Sequence, residues 1–164
     1  MRLPVKKTYK LYIGGVFPRS ESGRTYEAEG QNVARASRKD ARDAVRAARA
    51  AFPVWSGMTA YNRGQVLYRL AEMIESRRAR FADQLHRAGA DGSRRRSRPT
   101  GLVSRILPAL VGGNAVVAVA SEAHPLAAIE LAEALATSDL PRGAVNILTA
   151  SGTSLRPGSR DTWT

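Results

Sequence analysis

No cysteine occurs among the 164 residues. Disulfides, thiolate metal sites and thiol nucleophiles are thereby excluded, and the composition fits a cytoplasmic protein. Only two histidines are present. Neither His86 nor His124 has a His, Asp or Glu at the i, i+4 spacing of a zinc motif, so no metal site is expected and both are read as surface residues. No apolar run approaches the roughly 20 residues that a membrane helix requires. The opening Met1-Arg2-Leu3-Pro4-Val5-Lys6-Lys7 carries charge without an apolar stretch behind it, so neither a membrane span nor a secretory signal is expected.

Acidic residues are also scarce, 14 against 26 basic ones, for a formal net charge of +12. Such a surplus suggests nucleic acid until it is divided along the chain. Half of it lies in residues 77–98, where Arg77, Arg78 and Arg80 are followed by Arg94-Arg95-Arg96. A basic run can hold phosphates through salt-dependent contacts. Here it lacks interleaved aromatics for base stacking, and no helix-turn-helix or zinc spacing accompanies it. Basic, non-specific nucleic-acid binding therefore stands only as an alternative, and specific binding is not expected. Residues 99–164 are close to neutral.

What is present is concentrated in residues 101–150. Leu102, Ile106, Leu107 and Leu110 repeat at helical spacing and stop at Gly112-Gly113-Asn114. Ala115-Val116-Val117-Ala118-Val119 is the continuous apolar run of a parallel strand covered on both faces. A second helix spans Pro125 to Ala136, with Ile129, Leu131, Ala132 and Leu135 on its apolar side and Glu130 and Glu133 on its wet side. After the turn Asp139-Leu140-Pro141-Arg142-Gly143, Ala144-Val145-Asn146-Ile147-Leu148 reads as another buried strand. Two strands joined by a helix form a parallel pair with a right-handed crossover, part of a doubly wound α/β sheet.

The first half is read as a hairpin followed by helices. Lys10 to Phe17 and Arg24 to Ala28 suit a short antiparallel pair. Ser37 and Asp40 form a variant capping box that opens a helix expected to run to about Phe52 and to break at Pro53. Its stripe of Arg38, Arg42, Arg46 and Arg49 is read as a solvated face. A second helix begins between Thr59 and Asn62 and presents Val66, Leu67, Leu70, Ala71 and Ile74; a continuation carries Phe81, Leu85 and Ala88. Trp55, between the helices, is read as a packing residue. The predicted organisation is residues 1–88 for hairpin and helix pair, 89–100 for a basic Gly/Ser/Arg linker, 101–150 for the α/β unit and 151–164 for a disordered tail.

Pro108-Ala109-Leu110, Gly113-Asn114-Ala115-Val116-Val117, Ser121-Glu122, Glu130-Leu131-Ala132-Glu133 and Leu140 to Leu148 together resemble the cofactor-binding domain of an NAD(P)-dependent aldehyde dehydrogenase. The resemblance implies a partial doubly wound, Rossmann-like parallel sheet, truncated and internally deleted relative to the family. It implies NAD or NADP as cofactor. In many members the second strand ends in Lys-Pro-Ser-Glu, whose Lys and Glu contact the adenosine ribose. Here Ser121 and Glu122 remain, with Val119 and Ala120 in the other two places, so Ser121 and Glu122 are the candidate cofactor contacts. The competing reading of the same pair is a Ser-Glu helix start before Pro125.

The family's oxidation passes through thiolate attack, hydride transfer and thioester hydrolysis. Without cysteine no catalytic residue can be assigned, and the chain is expected to be inactive alone. Arg98-Pro99-Thr100-Gly101 runs directly into the first helix of the unit, where the family has a strand and an oxyanion Asn. The Arg/Ser/Gly junction and tail are what reading-frame changes in a GC-rich gene would produce. A sheet of two or three strands exposes apolar side chains and unpaired backbone at its edge. Marginal stability or association is therefore expected, with a homologous subunit or a second copy as partner, and a non-catalytic interaction module is the other alternative function.

Overall fold

The computed structural model describes residues 7–90 and 99–150. In chain order the elements are β1 (Thr8–Tyr9), β2 (Thr25–Ala28), β3 (Gln31–Ala34), α1 (Arg38–Gly57), α2 (Ala60–Ser76), α3 (Arg78–Ala90), α4 (Pro99–Val111), β4 (Val116–Val119), α5 (Leu126–Ala136) and β5 (Val145–Leu148). The class is α/β, with two small sheets. Of the expected linker, residues 89–90 belong to α3 and 99–100 to α4. The run Arg94-Arg95-Arg96 and the tail 151–164 lie outside the described residues. Among those described, no helix is long and apolar enough to cross a membrane.

The α4–β4–α5–β5 order matches the sequence reading. β4 and β5 pair in parallel, Val116 opposite Val145 through to Val119 opposite Leu148. β5 is the buried strand of the two, because its other edge is occupied as well. Tyr12 donates its N–H to the Ile147 carbonyl at 3.0 Å and accepts the Ile147 N–H at 2.7 Å. β4 departs from expectation: one of its faces stays partly exposed. Val116 and Ala118 pack against the main core, whereas Val117 is 36% and Val119 53% exposed. An apolar run records what a strand tolerates, and its neighbours decide what it receives. Val117 and Val119 belong to none of the buried clusters and keep part of their surface open to water.

The hairpin differs too. Lys10–Phe17 does not pair with 24–28; it closes on itself, with Ile13 and Val16 exchanging backbone hydrogen bonds around Gly14-Gly15. The antiparallel partner of β2 is β3, in the register Thr25 opposite Ala34 and Ala28 opposite Gln31. β1 adds in parallel on the other side of β3. The two-residue loop Glu29-Gly30 has positive φ at both positions, 52° and 71°. That matches the twist of a tight hairpin, and glycine takes the second position without strain. The two sheets are laced at the end of β5: Ala36 donates its N–H to the Thr149 carbonyl at 2.8 Å, and the Thr149 hydroxyl donates to the Ala34 carbonyl at 2.6 Å.

The capping box of α1 is formed as expected. Ser37 Oγ accepts from the Asp40 N–H at 3.2 Å, and Asp40 Oδ2 accepts from the Ser37 N–H at 2.7 Å. Asp40 also accepts from the Ser20 hydroxyl and the Glu21 N–H, tying the preceding loop to the helix. Burial alone would raise the Asp40 carboxyl, but these hydrogen bonds outweigh it and hold it below its ordinary value of 3.8. A carboxyl depressed in the folded state stabilises the fold above its unfolded pKa, and that stabilisation is lost as pH falls through the folded value. Urea midpoints of the wild type are therefore expected to fall below pH 3.8, and Asp40→Asn to start lower at neutral pH and show a flatter acid limb.

Contrary to the expected break, α1 continues through Pro53 to Gly57. Phe52, Pro53 and Val54 are exposed, so water can satisfy the carbonyl that proline leaves without a donor. Two residues later Trp55 is fully buried and donates its indole N–H to the Leu110 carbonyl at 2.9 Å. The last turn of α1 is thus fixed by tertiary contact. Around Trp55 the main core gathers Leu70, Ile106, Leu110, Leu131, Leu135, Val145 and Ile147, drawn from α2, α4, α5 and β5.

Candidate functional site

Because β4 and β5 run in parallel, their carboxyl ends open on the same side. In open α/β sheets that is where ligands bind. The loop Ala120–Pro125 leaves β4 there, and Thr149-Ala150 leaves β5. Ser121 and Glu122 both lie in the first loop. Ser121 is half-buried, and its Oγ accepts the His124 N–H at 3.3 Å. The hydroxyl thus closes the turn that precedes α5, as the helix-start reading requires. Glu122 is exposed.

α5 itself follows Pro125, which as N-cap residue supplies no side-chain hydrogen bond. The missing acceptor comes from the β2–β3 hairpin: Glu29 Oε2 accepts the Leu126 N–H at 3.3 Å. A carboxylate at this helix N-terminus faces the positive end of the helix dipole. The other oxygen of Glu29 lies 3.5 Å from His124 Nδ1. His124 is only 5% exposed, which corrects its reading as a surface residue. The cause is docking of the hairpin, whose Ala28 and Val33 pack on Leu126 and Ile129 with Tyr9 and Tyr26 alongside. Burial, followed by the charges of Glu122 and Glu29, pushes the Tyr26 phenol well above its ordinary range. The carboxyl end of β4 is therefore a carboxylate-rich corner, with Glu122 facing out and Glu29 facing in.

Sequence reasoning placed Ser121 and Glu122 at this edge and missed Glu29, Tyr26 and His124. Glu29 lies 97 positions from its contact at Leu126, and a Glu-Gly hairpin loop was its only local signal. Val119, in the place of the family's lysine, supplies no cation. Among the described residues no group of His, Asp and Glu is arranged to hold a metal ion.

The arginines after α2 are engaged within the molecule. Arg77 lies 3.6 Å from both Glu130 and Glu133, Arg80 lies 3.8 Å from Glu130, and Arg78 pairs with Glu75 at 3.4 Å. Glu130 is consequently not on a wet face; its side chain is 13% exposed because α3 lies against α5. His86 is exposed, as read from the sequence.

Comparison with known proteins bears on this geometry. The profile of the Aldehyde dehydrogenase family matches residues 24–93 and 100–156. The fold is similar to that of a 3,6-anhydro-L-galactose dehydrogenase in complex with NADP, at TM-score 0.79 and 22% identity over 91% of this chain and 44% of that one. An aldehyde dehydrogenase from Bacillus cereus in complex with NAD+ superposes with TM-score 0.79 and 21% identity, covering 90% of this chain and 43% of that one. Aldehyde dehydrogenase C from Pseudomonas syringae, a mutant in complex with NAD+ and octanal, gives TM-score 0.78 and 24% identity, covering 89% and 41%. The chain thus spans less than half the length of these structures.

Proposed function

This chain belongs to the aldehyde dehydrogenase family, and from that premise we propose that its parallel pair serves as the adenosine side of a nicotinamide-dinucleotide cradle. The observation that carries the reading is an exposed carboxylate, Glu122, in the loop at the carboxyl end of β4. A carboxylate there can accept hydrogen bonds from ribose hydroxyls. The residues fit this part of the cofactor and no more. Ser121 accepts the His124 N–H, Val119 and Ala120 offer no charge to a phosphate, and Glu122 is the side chain assigned to the ribose. When bound, the dinucleotide supplies a hydride acceptor; the chain supplies binding and orientation. With no cysteine in the sequence, these residues alone do not carry out aldehyde oxidation.

The charge of the corner favours NAD over NADP. Glu122 and Glu29 are both acidic, and a 2′-phosphate on the adenosine ribose would add like charge beside them. Calorimetric titration with each cofactor, with unfolding followed by circular dichroism, tests the reading. Saturable NAD binding with a rise in Tm is expected, since a ligand of the native state stabilises it. NADP should bind about tenfold more weakly. Glu122→Gln should weaken NAD by roughly tenfold, the size of a lost hydrogen bond to a charged group, and narrow the gap between cofactors. Absence of NAD binding by a folded wild type would remove the cofactor role and leave family membership as ancestry.

A further inference from the structure

The outer edge of β4 carries the further inference. Val116 donates its N–H to the Ala144 carbonyl at 2.7 Å, and Ala120 donates to Leu148 at 2.8 Å. The even-numbered residues therefore turn their backbone groups toward β5. By strand alternation the N–H and C=O groups of Val117 and Val119 point the other way. No described strand pairs with that side. A strand–helix–strand unit would ordinarily lay the strand preceding α4 against this edge. What precedes α4 in the sequence is Arg94-Arg95-Arg96-Ser97-Arg98, which has no apolar alternation, and the family match is interrupted between residues 93 and 100. Nor is the edge guarded: Val116 to Ala120 contains no charge, proline or glycine of the kind that normally blunts edge strands.

We propose that β4 pairs edge to edge with β4 of a second copy of this chain, antiparallel about a twofold axis through Ala118. The register follows from the alternation. Val117 lies opposite the partner's Val119, and Val119 opposite the partner's Val117, so each outward-facing residue meets another outward-facing residue. About four hydrogen bonds then cross the axis, and the valines form two cross-strand pairs on the more exposed face of β4. A second copy is the occupant because the edge is self-complementary: one apolar stretch supplies both sides of an isologous contact. Four residues a side bury less than the ~1,200 Å² of a stable interface. The dimer is therefore weak and concentration-dependent.

Sedimentation velocity across a range of concentrations, with hydrogen exchange on the same samples, tests this. The wild type should pass from monomer to dimer as concentration rises, and the Val117 and Val119 amides should gain protection together with the dimer. Val119→Lys places a charge on an exposed position and leaves the β4–β5 ladder intact. It should keep the monomer's circular dichroism and melting behaviour while weakening the dimer at least tenfold. Val119→Thr, β-branched and uncharged, should retain it. A wild type that stays monomeric at several hundred micromolar, a dimer untouched by Val119→Lys, or protection of these amides that does not vary with concentration would each overturn the proposal. Because Glu122 is not in the contact, Glu122→Gln should change NAD binding and leave the monomer–dimer equilibrium as it is.

Discussion

Trp55→Ala is expected to lower the melting temperature by 10 °C or more, or to abolish the cooperative transition. Removing a buried tryptophan costs about 3–5 kcal/mol in transfer and cavity terms. A second loss adds to it. The Leu110 carbonyl, at the C-terminal end of α4, accepts the indole N–H at 2.9 Å in a buried setting, and truncation leaves it the Gly113 N–H alone, also at 2.9 Å. Losing that one buried hydrogen bond costs about 0.5–1.5 kcal/mol more. Typical domains have about 5–15 kcal/mol in total, so the combined loss approaches the whole of a small domain's stability. At this chain length 1 kcal/mol corresponds to about 3–4 °C.

Trp55→Phe separates the two contributions. It keeps most of the buried ring and removes the donor, so it should fall between wild type and alanine. Urea unfolding by circular dichroism checks the order wild type, Phe, Ala. A shift of only a degree or two for Trp55→Ala would contradict the packing of α1 on α4 through this side chain.

The same residue shows where sequence reading stopped. A proline at position 53 argues locally for a helix end, and the chain ignores it because burial of Trp55 outweighs one missing backbone hydrogen bond on a solvated face. The elements from α4 to β5 were legible because their signals are local: apolar runs, helical spacing, and turn residues between them. The Ser37–Asp40 cap was legible for the same reason. Pairing was not. That β2 turns back at Glu29-Gly30 rather than pairing with residues 10–17 depends on which strand wins a distant partner, and Tyr12 is claimed by Ile147.

Burial of His124 and Glu130 was illegible on similar grounds. Each is polar, each stands at a position that local pattern assigns to water, and each is covered by an element far away in sequence. The candidate site divides along this line. Ser121 and Glu122 are neighbours in one loop and could be named together. Glu29 reaches that loop from the other end of the chain, and with it comes the carboxylate that caps α5 and enriches the corner in negative charge.

Gly143→Ala is expected to be the second most damaging substitution, at about 3 kcal/mol or more, and its cost can be divided by experiment. Gly143, in the turn that leads into β5, has φ at +90°, a conformation that disfavours any Cβ. A Cβ built there would stand 2.7 Å from the Ala47 carbonyl oxygen and 3.1 Å from its carbon. Those are backbone atoms of α1, so relief requires moving the helix rather than rotating a side chain. The Gly143 carbonyl also accepts the Asn146 side-chain amide at 2.7 Å, and Asn146 Oδ1 accepts the Gly14 N–H at 2.9 Å. A shift at Gly143 therefore pulls on the 13–16 turn as well as on α1.

Gly30 provides the control. Its φ is +71°, yet a Cβ there meets nothing within 4 Å. Gly30→Ala should cost only the conformational penalty of roughly 1–2 kcal/mol. Measured side by side in urea, the excess of Gly143→Ala over Gly30→Ala reports the close approach of α1 to β5. Equal costs would mean that the approach is loose enough to absorb a methyl group. The larger cost expected for Gly143 would mean that α1 and β5 sit at backbone contact, holding rigid the strand whose carboxyl end lies beside the loop that carries Glu122.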